Sequence, residues 1–63
     1  MNAILNSEET VRLNLNGDHI AVDGFHESGE SWTSWFPVWT VRGRELVNAA
    51  ISRGDIRADE VTA

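Results

Sequence analysis

Val11-Arg12-Leu13-Asn14-Leu15-Asn16-Gly17-Asp18-His19-Ile20-Ala21-Val22 is the stretch on which the fold turns. Apolar and polar residues alternate on both sides of an Asn-Gly pair, the strongest short-range hairpin signal. A two-residue type I′ turn needs positive φ at both central positions, which Asn and Gly tolerate. That turn sets Leu15 opposite Asp18, Leu13 opposite Ile20 and Val11 opposite Val22. The apolar residues of both strands then share one face, as a half-buried sheet requires.

On the C-terminal side, Asp23-Gly24 breaks the alternation. A bulge there would bring Phe25 onto the face of Val22. A second tight turn at Ser28-Gly29 then sets Phe25 against Trp32 and starts a third strand over about 30–41. In that strand Trp32, Phe36 and Val38 are expected to face the core, and Trp35, Pro37 and Trp39 the opposite side. The rival is a short helix, because Trp32, Trp35, Phe36 and Trp39 also follow helical spacing. Pro37 and the β-branched Thr33, Val38, Thr40 and Val41 favour the strand.

Beyond the strand, Leu46, Val47, Ala50 and Ile51 repeat with the helical period, with Arg44, Glu45, Asn48 and Ser52 on the outer side. Thr40 or a residue just after it is the expected N-cap, Arg53 suits the negative end of the helix dipole, and Gly54 suits a left-handed C-cap. Gly43 lies on the stripe side, where a missing side chain lets the helix approach the sheet. Asp55 is expected to cap a last short turn carrying Ile56 and Val61. The fold class is therefore α+β: a three-stranded antiparallel meander over 10–41, then one amphipathic helix over 42–53 packed on one sheet face. Residues 54–63 form a tail or short turn, and 1–9 a flexible lead-in.

The 63 residues amount to one domain, with a core small enough to need reinforcement. With no cysteine, that reinforcement falls to three tryptophans and two phenylalanines, or to a partner. No apolar run is long enough to span a bilayer, and Met1–Glu9 has no basic segment of the signal-peptide kind. A cytoplasmic location with no membrane partner is expected. Residues 1–36 carry Glu8, Glu9, Asp18, Asp23, Glu27 and Glu30 against Arg12 alone, and residues 37–63 balance, which gives the net charge of −5. Nucleic-acid binders show the opposite balance, so nucleic acid is not the expected partner.

Catalytic chemistry has little to stand on. There is no cysteine, lysine or tyrosine, and no serine sits in a nucleophile motif. His19 and His26 lie seven residues apart, about 20 Å along one strand, too far to share a metal with the acids around them. The chain reads as a non-enzyme without metal or cofactor. Arg53-Gly54-Asp55 spells an adhesion-like tripeptide, but a helix end accounts for each of its residues.

The tryptophans carry the functional signal. Trp35 and Trp39 fall on the sheet face that the helix leaves open, and exposed neighbouring aromatics mark interfaces. The alternative is that the N-terminal segment, with Ile4 and Leu5, folds across them as a second small core. The expected function is a small acidic protein-interaction module whose contact residues are Trp35, Trp39, Glu27, Glu30, Asp18 and Asp23. Compact acidic chains of this kind are common among phage and mobile-element accessory proteins that bind and inhibit a host protein. Charge mimicry toward a nucleic-acid-binding target is one form of this reading, with the four acids standing in for phosphates. The alternatives are a single-stranded nucleic-acid binder that stacks bases on the tryptophans and a structural homodimer that buries the aromatic face.

Overall fold

The computed structural model describes residues 4–62. Three strands, β1 (Thr10–Leu13), β2 (His19–Phe25) and β3 (Ser31–Pro37), form one antiparallel sheet with β2 in the middle. A single long helix, α1 (Val41–Arg53), follows, and then one 3-10 turn at Ala58–Glu60. The architecture is the α+β meander-plus-helix that the apolar periods demand, and 32–37 is strand. Among these residues no helix is long and apolar enough to cross a membrane.

The first hairpin has the expected register, Val11 against Val22 and Leu13 against Ile20, but a different turn. Gly17 alone has positive φ, +73°, so the type I′ geometry is absent. Instead the Gly17 N–H donates to the Asn14 carbonyl, and the Asn14 N–H donates to the His19 carbonyl, closing a four-residue loop. The cause lies in Asn14. Its Oδ1 accepts from the backbone N–H groups of both Asp18 and His19, each at 3.0 Å, which satisfies the loop from inside. Leu15 therefore does not pair with Asp18; it stands fully exposed at the tip. Thr62 closes over the same turn, its N–H on the Gly17 carbonyl and its hydroxyl on the Asn16 carbonyl, both at 2.8 Å.

The second hairpin corrects the expectation by one residue. His26 N–H donates to the Glu30 carbonyl and Gly29 N–H to the His26 carbonyl, with Gly29 at φ +93°. This is a three-residue loop ending in a left-handed glycine. The extra loop residue does the work assigned to a bulge at Asp23-Gly24, and the β2–β3 ladder runs unbroken. Trp32 pairs with Gly24 and Phe25 with Ser31. Trp32 lies over the bare Gly24 backbone, where a Cβ would come within 2.7 Å of the indole. Phe25 goes to the outer face and is exposed.

The strand ends at Pro37, sooner than expected. Thr40 then makes the corner: its hydroxyl donates to the Pro37 carbonyl at 2.8 Å and accepts from the Gly43 N–H at 3.0 Å. One hydroxyl joins the end of β3 to the first turn of α1. The helix closes as predicted on Gly54, φ +80°, with the Gly54 and Asp55 N–H groups on the Ile51 and Ala50 carbonyls. Asp55 does not cap the short turn; it pairs with Arg53 at 3.0 Å, and Arg57 occupies the capping position. The charges of the adhesion-like tripeptide thus satisfy each other.

The core lies between sheet and helix. Ile20 and Val22 from β2 meet Val38, Leu46, Val47 and Ala50, with Ile56 closing the far side. Leu5 belongs to this cluster and Ile4 packs against it. The N-terminal segment is held there by Arg53, whose guanidinium donates to the carbonyls of Asn6 and Glu9 at 3.2 and 2.8 Å. Residues 4–9 are therefore docked on the core, and the alternative in which they cover the tryptophans is overturned.

Candidate functional site

The face of the sheet turned away from α1 is organised in rows across the strands. Thr10, Asp23 and Thr33 form one row, Arg12, Ala21 and Trp35 the next, and His19 and Pro37 a third. Trp39 follows from the corner after β3. Two charged clusters hold the two tryptophans, and each contains one of the expected acidic contact residues.

The first cluster is built on Arg12. Its guanidinium grips Asp23 with two hydrogen bonds, Nε to Oδ2 at 2.8 Å and Nη2 to Oδ1 at 3.2 Å. The same group lies over the Trp35 ring, 5.2 Å from its centroid. Thr33 donates its hydroxyl to Asp23 from the other side. Together Arg12 and Thr33 hold the Asp23 carboxyl below its ordinary range, and Asp23 raises the Arg12 pKa. Ala21 lies between Arg12 and Trp35 and is fully buried beneath that pair.

The second cluster is built on His19. Its Nδ1 meets Asp18 Oδ1 at 2.9 Å, and Asn14 Nδ2 donates to the same oxygen at 2.6 Å. A carboxylate only accepts, so the imidazole proton sits on Nδ1. These bonds, His19 first and Asn14 second, hold the Asp18 carboxyl below its usual value. The His19 ring meets Trp39 edge to face, with centroids 5.6 Å apart and planes at 75°.

Both indoles remain open to solvent, Trp35 at 45% and Trp39 at 62%. Phe25, at 73%, extends the same face toward the second turn. From Ser31 to Val41 no residue is charged, and the row of Asp23 and Thr33 lies between Phe25 and Trp35 on this face. Trp39 also lines a groove of about 360 Å³ together with Val38, Arg44, Val47, Asn48 and Val61.

The structure thus brings four of the six expected contact residues together: Trp35 with Asp23, and Trp39 with Asp18. Glu27 and Glu30 are exposed but lie apart, in the turn beyond Phe25. Glu30 is five residues along the strand from Trp35, about 17 Å. Three residues complete the face without having been among those expected as contacts. Arg12 and His19 fall on this face by the first hairpin's register, which sets Arg12 against the small Ala21. Phe25 depended on the loop length of the second hairpin, which the sequence around Ser28-Gly29 does not disclose. Among the described residues no three His, Asp or Glu side chains converge as metal ligands would.

Compared with family models, with curated proteins and with solved structures, the chain shows no significant match.

Proposed function

We propose that this protein is an interaction module that docks the outer face of its sheet, through Trp35 and Trp39, on another protein. The observation that supports this most is that both indoles are solvent-exposed with no described segment over them, each touching its own polar cluster. The segment that could have covered them, around Leu5, is committed to the core instead. Large solvated aromatics at fixed positions are the composition of interface hot spots. Occupying a functional surface of its partner would make the module an inhibitor, and a host protein bound by a phage or mobile-element accessory protein is the setting proposed for it.

The same geometry weighs against two rivals. Asp18 and Asp23 are already engaged by His19, Asn14, Arg12 and Thr33. That leaves Glu27 and Glu30 as a thin set of phosphate mimics. The Arg12 charge is likewise committed to Asp23, so the cation that lies over Trp35 is already paired and less suited to assist base stacking.

The test is capture from a host lysate with wild type and Trp35→Ala/Trp39→Ala as paired baits, followed by calorimetry on the purified partner. The double variant should keep the wild-type circular dichroism spectrum. It should lose about 2 kcal/mol or more of binding free energy, roughly thirtyfold in Kd. Equal binding by the two baits would reject the aromatic face as the docking site.

A further inference from the structure

β3 is an edge strand, and among the described residues its outer edge has no backbone partner. Asp18 and Val38 are joined by a ladder bond, Val38 N–H to Asp18 carbonyl at 3.0 Å, and so are His26 and Glu30. The register between them is unbroken. Bonded and non-bonded pairs alternate in an antiparallel ladder. The even-numbered residues of β3 therefore face β2, and Ser31, Thr33 and Trp35 aim their N–H and carbonyl groups outward. Pro37 aims a carbonyl outward and has no N–H to offer. Natural sheets blunt such an edge with charge, a bulge or a proline inside it. Here the strand is flat in register and free of charge, and its one proline stands at its last position.

We infer that this edge pairs with the same edge of a second copy, antiparallel and centred on Thr33, to make one continuous six-stranded sheet. Three observations select this occupant and register. A twofold axis at Thr33 sets Ser31 opposite Trp35 of the second copy, so all the outward donors find acceptors and Pro37 lies outside the pairing. Glu30, exposed and without an ion pair among the described residues, then falls opposite Phe36 of the second copy. The Phe36 ring carries the Arg42 guanidinium 6.0 Å from its centroid. The axis repeats that Glu30–Arg42 encounter, as a self-complementary interface must.

The two helices lie on the same side of the extended sheet without collision. Because α1 packs on both β2 and β3, the two helices stand two to three strand spacings apart, roughly 10–14 Å, at or beyond the 8–10 Å of packed helices. The outer face stays open and doubles: Phe25, Ser31 and Trp35 of the second copy line up in one row. The inference uses the edge of the sheet rather than its face, so it stands independently of the docking function.

The experiment is sedimentation equilibrium on the purified chain from micromolar to millimolar concentration. Wild type should dimerise. Thr33→Pro keeps every ladder bond to β2, because the Thr33 N–H points outward, but it removes the two bonds on the axis. It should give a monomer with an unchanged circular dichroism spectrum. Glu30→Arg and Arg42→Glu should each raise the dimer Kd about tenfold or more by setting like charges together, and the double variant should restore it. Trp35→Ala/Trp39→Ala should leave dimerisation in place. A wild-type chain that stays monomeric throughout, a dimer that survives Thr33→Pro, or a double charge swap that fails to recover association would each overturn the inference.

Discussion

Replacing Gly43 with alanine sets two effects of opposite sign against each other. Inside a helix, alanine is favoured over glycine by about 1 kcal/mol, so helix propensity alone forecasts a more stable protein. The packing forecasts the reverse. A Cβ at Gly43 would fall on the Pro37 carbonyl, well inside contact with its oxygen and 2.8 Å from its carbon. That carbonyl is backbone and cannot rotate away. It already accepts the Thr40 hydroxyl and the Thr40 N–H. Relief requires the first turn of α1 to lift by about 1 Å to reach ordinary carbon contact. Lifting it opens the Thr40 cap on the Gly43 N–H, worth about 1 kcal/mol, and adds overpacking strain of about 1–3 kcal/mol. Net of the propensity gain, Gly43→Ala should destabilise by about 1–3 kcal/mol. In a domain of this size that lowers Tm by roughly 8–20 °C. Thermal melts followed by circular dichroism measure it, with Asn48→Ala on the exposed side of α1 as the control that isolates propensity. A Gly43→Ala Tm equal to or above wild type would refute the close approach of α1 to the end of β3.

Two further expectations follow from packing and charge. Leu5→Ala should cost about 2–3 kcal/mol, because Leu5 is 8% exposed and belongs to the main cluster; urea melts that match wild type would mean the N-terminal segment is not docked. Asp18 and Asp23 have folded-state pKa values depressed below the ordinary 3.8, so the stability they contribute is present above about pH 4 and is lost as pH falls through the folded values. Melting temperature should therefore decline below about pH 4, and Asp23→Asn should flatten part of that decline; an identical acid profile in the variant would contradict the Arg12–Asp23 pairing.

What was legible in the sequence follows the strength of the local physics. The Leu13–Ile20 and Val11–Val22 pairs were readable because any other register exposes the whole apolar set. The helix was readable end to end because Thr40, Arg53 and Gly54 each do at its ends what their chemistry favours. Trp35 was readable as outward-facing from strand parity alone, whereas Trp39 lies past the end of β3 and is exposed by the corner rather than by parity. The turns were not. Asn-Gly fits type I′, yet the Asn14 side chain offers a competing set of hydrogen bonds from two residues before the pair, and propensity at the turn itself cannot weigh that. Ser28-Gly29 suits a two- or a three-residue loop, and the choice moves Phe25 from one face of the sheet to the other. Leu5 lay beyond local reading altogether, since its place depends on Arg53, 48 positions later in the chain.

The corner that carries Trp39 has a thermodynamic consequence for any complex the protein forms. Val38 is anchored to Asp18, Thr40 to Pro37 through both its N–H and its hydroxyl, and the ring rests on His19. The freedom of the backbone beneath this indole has thus already been surrendered in folding, and His19 supports one edge of the ring. A partner arriving at Trp39 meets a side chain that needs little further ordering, and interfaces built on such groups lose less entropy on association. Recognition at this corner should accordingly proceed as near-rigid docking, with the free and bound protein differing little in backbone and the affinity residing chiefly in slow dissociation.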